Sequence, residues 1–292
     1  LPDHGQLETA YAHCLALARS HYENFPVASR LLPARLRQPI AVIYAFARRA
    51  DDFADEGRLD AAQRLAQLDQ WQAMLDAVQQ GAAPEEPVFI ALADVVQRHR
   101  LPWGLFSDLL SAFRQDVIKQ RYVDFPEVLD YCRRSANPVG RLLLHLNETT
   151  DDQQLRQSDR ICSALQLINF LQDIQQDYSE NGRIYLPQED MERFAISSED
   201  IAAGRDDAAM RALIQYQLVR IRALLAEGAP LAWNLRGRLG LELRMTVSGA
   251  WRILQKLEQA GSCYARPRLQ GSDWLWMLGR ALSSRSPATS EP

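Results

Sequence analysis

Apolar side chains return every three or four residues over Leu59 to Val78, Leu155 to Tyr178 and Met210 to Ala226, whereas strand-like alternation is scarce. A period near 3.6 buries one stripe of a helix, and a period of two buries one face of a strand. The chain is therefore predicted to be all-α. Breaks are expected at Pro33 and Pro39, around Gly81 to Pro87, at Pro102, Pro126, Pro138, Asn181-Gly182, Pro187 and Gly204, and over Gly228 to Pro230. Proline there lacks an amide donor, and glycine can enter left-handed backbone. Roughly ten helices joined by short loops should result. No internal repeat and no Ser- or Gly-rich linker divides the sequence, so residues 1–282 read as one helical domain.

With 47% hydrophobic and 24% charged residues, the 292-residue chain can build a large core. Its 33 Lys+Arg against 37 Asp+Glu leave a formal charge of −4, with no surplus to neutralise phosphates, which excludes nucleic acid as a partner. Cys14, Cys132, Cys162 and Cys263 are widely spaced, so neither a zinc knuckle nor a disulfide framework is expected. Reduced thiols point to the cytoplasm. No apolar run is long enough to span a bilayer. Ser283 to Pro292, rich in Ser and Pro, reads as a disordered tail, and the dense cluster Trp274 to Leu278 as a packed final helix rather than a membrane contact.

Two polar constellations stand out from this background. Asp51 and Asp55 stack one helical turn apart, with Arg48 a turn earlier on the same side. Such carboxylates repel, so something cationic should offset them. Gln166, Asn169, Asp173 and Asp177 form a second stripe flanked by Leu167, Phe170, Leu171 and Ile174. Carboxylates among apolar neighbours are costly unless a metal or other cation pairs with them. Two acidic helical stripes facing each other would suit Mg²⁺, which takes a few carboxylates and completes its shell with water and substrate phosphate. A di-iron bundle would need Glu-x-x-His pairs, and a nucleotide site a P-loop or GxGxxG; none is present.

Asp51-x-x-x-Asp55, and Asn169-x-x-x-Asp173-x-x-x-Asp177 followed by Gly182-Arg183-Ile184-Tyr185-Leu186-Pro187, closely resemble the squalene and phytoene synthases over about Tyr11 to Arg252. That resemblance implies the all-α isoprenoid synthase fold, with helices around a central apolar cavity. It also implies Mg²⁺ on Asp51, Asp55, Asp173 and Asp177, and a prenyl diphosphate substrate. Ser135-Ala136-Asn137-Pro138-Val139-Gly140-Arg141, and His21 to Ser29, resemble the bacterial branch that forms hydroxysqualene from presqualene diphosphate by ionisation, rearrangement and water capture. On that resemblance Arg48 and Arg183 grip phosphate, while Tyr185 and Phe25 contact substrate. Tyr131, Asn137, Gln166 and Asn169 are the catalytic candidates, Asn137 as the one that orients water. A greasy substrate would favour peripheral contact with the inner face of the membrane; oligomeric state is not set by the sequence.

Two alternatives compete with this reading. One is a head-to-head prenyltransferase condensing two farnesyl or geranylgeranyl diphosphates, against which Arg133 and Arg134 count, because they stand where squalene synthases carry an aromatic hydroxyl. The other is a non-catalytic helical assembly factor, against which the four spaced aspartates count.

Overall fold

The computed structural model describes residues 4–20, 33–55 and 59–282. Among them are fifteen helices and no strand: α1 (His4–Ser20), α2 (Ala34–Asp55), α3 (Ala61–Gln79), α4 (Pro87–His99), α5 (Trp103–Ile118), α6 (Phe125–Ser135), α7 (Asn137–Leu146), α8 (Asp152–Gln172), α9 (Ile174–Asn181), α10 (Gln188–Arg193), α11 (Ser198–Ala202), α12 (Ala208–Gly228), α13 (Pro230–Asn234), α14 (Gly237–Glu258) and α15 (Gly271–Leu282). Part of the excess over the ten expected comes from α10, α11 and α13, only five or six residues long and too short to display a period. The tail from Ser283 and the segment His21 to Ser29 lie outside the described residues.

Helix starts follow the local chemistry. Pro87, Pro126 and Pro230 occupy first-turn positions, where no amide donor is needed. Asp60 and Ser197 form capping boxes with Gln63 and Asp200, and Asp124 and Asp207 accept backbone N–H bonds at the starts of α6 and α12. Pro39 does not break the chain as expected; it lies buried inside α2. It removes a single backbone bond near the start of a helix whose later residues Ile40, Val42, Ala45 and Phe46 are all buried.

The chain divides into two compact units, one comprising Leu1–Ile118 with Pro138–Asp151, the other Lys119–Asn137 with Asp152–Pro292. In the first, α2 runs against α1, α3, α4 and α5. Phe46 is its hub: its ring stacks on Trp71 at 6.0 Å and meets the edges of Phe89 and Phe106 at 5.8 and 5.3 Å. In the second, α8 and α12 pack together, joined by α14 and α15. Gly228 permits the closest approach, since a Cβ there would sit 2.7 Å from both the Gln157 carbonyl oxygen and Ile161 Cγ1. Asp190 accepts from Gln217 at 2.8 Å and pairs with Arg220, tying α10 to α12. None of the four cysteines forms a disulfide.

Candidate active site

In the first unit, Asp51 and Asp55 ride out of the core because Ala50 and Ala54, one residue earlier, are fully buried. Each step along a helix turns about 100°, so the following side chain clears the packed face. The carboxylates sit at the C-terminal end of α2, where no basic residue occupies the last turn. Helix dipoles oppose negative charge there, so this acidic run is no ordinary helix stabiliser. Arg48 offsets it in part, with its guanidinium 2.7 Å from Asp52 and 3.6 Å from Asp51. Asp52 takes the shorter contact and is absent from the sequence-derived site; the i,i+4 spacing of Arg48 and Asp52 was the available signal. Arg48, expected on phosphate, is thus engaged by its own helix.

In the second unit, the expected continuous stripe is two helices. α8 stops at Gln172, and Asp173 stands at the N-cap of α9 with φ −109° and ψ 11°. The i→i−4 bonds nonetheless continue, from Asp173 N to the Asn169 carbonyl at 2.9 Å and from Asp177 N to the Asp173 carbonyl at 2.8 Å. Asp173 makes no side-chain cap; its carboxylate faces the Arg266 guanidinium at 2.7 Å. One turn on, Asp177 is half-buried, and its carboxyl is pushed up to about 7 by burial first and the Asp173 charge second, with Arg183 and Arg266 pulling the other way. Gln166 is half-buried and Asn169 exposed on the same stripe.

The turn after α9 brings Arg183 back onto this pair. Gly182 adopts left-handed backbone at φ 65°, and Arg183 N donates to the Asp177 carbonyl at 3.1 Å. The Arg183 side chain is buried. Two carboxylates a turn apart, incompletely compensated, suit a hard divalent cation. Among the described residues no three or more His, Cys, Asp or Glu converge as a metal site. A cation at this pair would take its two carboxylates and fill its remaining positions with water and phosphate, as Mg²⁺ accepts.

Tyr185 is placed by backbone bonds between its segment and residues 119–124. Ile184 N donates to the Gln120 carbonyl at 3.0 Å, and Gln188 N to that of Tyr122 at 2.8 Å. Its ring lies flat on Phe170 at 3.6 Å and 4°, within 5.4 Å of Tyr122 and 5.6 Å of Tyr131. Tyr131 is buried, and Phe170 and Tyr185 also border an apolar cavity of about 20 Å³, the size of one water. Tyr122 and Phe170 were not singled out by sequence: Tyr122 joins the group only through backbone pairing with a segment sixty residues away, and Phe170 reads there as ordinary core.

Asn137 is the first residue of α7 and buried. Ser163 Oγ donates to its side-chain amide oxygen Oδ1 at 3.0 Å. It lines a polar cleft of about 520 Å³ with Arg133, Arg156 and Arg160, rather than the apolar cavity beside Tyr185. The structure thus joins Asp173 with Asp177 and Arg183, Tyr131 with Tyr185, and Arg48 with Asp51. Phe25 lies outside the described residues. His145 is held below the usual imidazole range by burial and then by Arg141.

Comparison with known proteins places these motifs in a family. The chain is 37% identical to a hydroxysqualene synthase of Rhodopseudomonas palustris over 90% of its own length and 88% of the relative's. It is 32% identical to a phytoene synthase of Mycobacterium bovis, over 74% of this chain and 70% of that one. The crystal structure of the squalene synthase HpnC from Alicyclobacillus acidocaldarius superposes with a TM-score of 0.81 at 37% identity, covering 89% of this chain and 96% of the other. The family model for squalene/phytoene synthase matches residues 18–274, a span that includes both aspartate pairs and the Gly-Arg-x-Tyr-x-Pro turn, and the chain belongs to that family.

Proposed function

We propose that this chain is a hydroxysqualene synthase, converting presqualene diphosphate and water to hydroxysqualene and diphosphate. The observation that carries the diphosphate assignment is the half-buried Asp173–Asp177 pair with buried Arg183 folded back onto it. The choice of branch rests on the 37% identity to the Rhodopseudomonas palustris protein together with the Ser135 to Arg141 segment.

Breaking the C–O bond sends an electron pair onto the departing diphosphate. Asp51, Asp55, Asp173 and Asp177 would hold Mg²⁺, which when bound supplies positive charge to the leaving group. Arg183 adds a fixed cation beside Asp177, worth most where burial excludes water. The cyclopropylcarbinyl cation that remains opens its ring as it rearranges. The stacked faces of Phe170 and Tyr185 offer π density to a cation without offering it a nucleophile. Water then donates a lone pair to the cationic carbon and releases its proton to diphosphate or solvent. Gln166 and Asn169, on the stripe leading to Asp173, supply amides that accept from and donate to that water. Asn137, whose side-chain oxygen accepts from Ser163, is a further amide with N–H donors to offer that water.

Squalene formation from farnesyl diphosphate is the second reading, favoured by the likeness to the Alicyclobacillus acidocaldarius squalene synthase. The two separate on products. Purified protein with Mg²⁺ and presqualene diphosphate in ¹⁸O-water should yield labelled hydroxysqualene without a reductant. Squalene appearing on addition of NADPH, or turnover of farnesyl diphosphate alone, would transfer the chain to the second reading.

A further inference from the structure

The C-terminal helix α15 is divided lengthwise. Asp273, Met277 and Ala281 are buried against α14, where Met277 Cε would lie 3.1 Å from a Cβ placed on Gly249. Trp274, Leu275, Leu278 and Leu282 occupy the opposite side and are between 44% and 75% exposed. They are four of the nine large apolar side chains exposed among the described residues, gathered within nine positions. The expectation of a wholly packed final helix is met on one face only. Among the described residues, a Cβ built on Gly271 or Gly279 would meet nothing within 4 Å.

Charge selects the occupant. The whole chain carries −4, yet residues 259–282 contain Arg266, Arg268 and Arg280 against a single acid, Asp273. That acid is buried and accepts from Arg252 at 2.6 Å and Lys256 at 2.5 Å, so it presents no negative charge outward. Arg268 is exposed on the approach to the helix, and the Arg280 guanidinium lies 5.1 Å over the Trp276 ring. A Trp/Leu face without outward acids, flanked by arginines, is the composition of a helix that lies in the interface of an anionic bilayer. At twelve residues the helix is about 18 Å long, and no described helix is long and apolar enough to cross a membrane.

We infer that the Trp274–Leu275–Leu278–Leu282 face of α15 docks on an anionic lipid bilayer. The need for such a contact rests on the function proposed above, because a C30 prenyl substrate and its alcohol product partition into lipid rather than water; the contact itself is measured independently of turnover. The full chain should co-sediment with vesicles of mixed phosphatidylglycerol and phosphatidylcholine, bind pure phosphatidylcholine more weakly, and lose affinity as salt is raised. Leu275→Gln/Leu278→Gln should lower the partition coefficient roughly ten-fold per side chain removed from the bilayer. Its circular dichroism, and its turnover of detergent-dispersed substrate, should match wild type.

Equal sedimentation of the double variant and wild type would overturn the inference, as would failure of the wild type to bind anionic vesicles. A dimer abolished by the same variant would give the face to a second copy. Binding that emerged only after removal of residues 283–292 would give it to that segment; either outcome overturns bilayer docking. Vesicle binding by a protein inert toward presqualene diphosphate would instead sustain the docking surface and discard the proposed reaction.

Discussion

Asp177 separates what this site costs from what it does. Its carboxyl is held up to about 7 by burial and the Asp173 charge, so above that pH it is ionised against its surroundings and opposes folding. Asp177→Asn should therefore raise the melting temperature measured in chelator near pH 8, while lowering turnover by about two orders of magnitude or more through loss of a cation ligand. Asp51→Asn should lower turnover comparably with helical content unchanged. Thermal scans and steady-state rates on the same preparations test both. Full activity in either variant, or in excess chelator, would remove the aspartates from the reaction. Spacing made the stacking within each aspartate pair legible, because i,i+4 positions share a helix face whatever the tertiary fold. The hold of Asp52 on Arg48 was less visible, since which of several adjacent acids an arginine chooses is a rotamer outcome.

At the scale of elements, two glycines test distinct jobs. Gly228→Ala should destabilise by about 1–3 kcal/mol, because its Cβ would press on the α8 backbone at Gln157, and backbone yields little. Gly182→Ala places a side chain in left-handed backbone at φ 65° but only 3.3 Å from the flexible Gln120 amide, a strain of about 1–2 kcal/mol. Its larger consequence should be catalytic, since the turn that carries Arg183 and Tyr185 starts there. Denaturant melts beside kcat check the contrast; equal kcat losses at equal destabilisation would deny Gly182 a special role. Most helix ends were readable because Pro and Gly act locally, as at Gly182 and Pro230. Pro39 and Asp173 were not, for opposite reasons. At Pro39 buried neighbours carry the helix through a missing donor, and at Asp173 the backbone leaves helical dihedrals while its hydrogen bonds continue. Tyr122 and Phe170 meet the Tyr185 ring only through a pairing distant in sequence, which no local pattern encodes.

For the molecule as a whole, α15 is secured by Asp273, whose buried carboxylate accepts from Arg252, Lys256 and the Gln270 amide. The Lys256 contact first, then the Gln270 amide and Arg252, hold its carboxyl well below the usual carboxylate range. A folded-state pKa below the unfolded value of about 3.9 means this network contributes fully at neutral pH and is lost as pH falls through the lowered pKa. Asp273→Asn should thus lower the melting temperature near pH 7, with variant and wild type converging in strong acid; parallel curves down to about pH 2 would contradict it. The backbone pairing of residues 119–124 with 182–189 joins positions 64 apart in sequence at the bond from Ile184 N to the Gln120 carbonyl. Between its two halves the chain supplies α6, enters the other unit as α7, and returns as α8 and α9. In kinetic terms the segment carrying Arg183 and Tyr185 closes a long loop, and that entropy is lost before its contacts repay it. During refolding, helical ellipticity should recover first, and catalytic competence should return in a later phase, set by the docking of this one clasp.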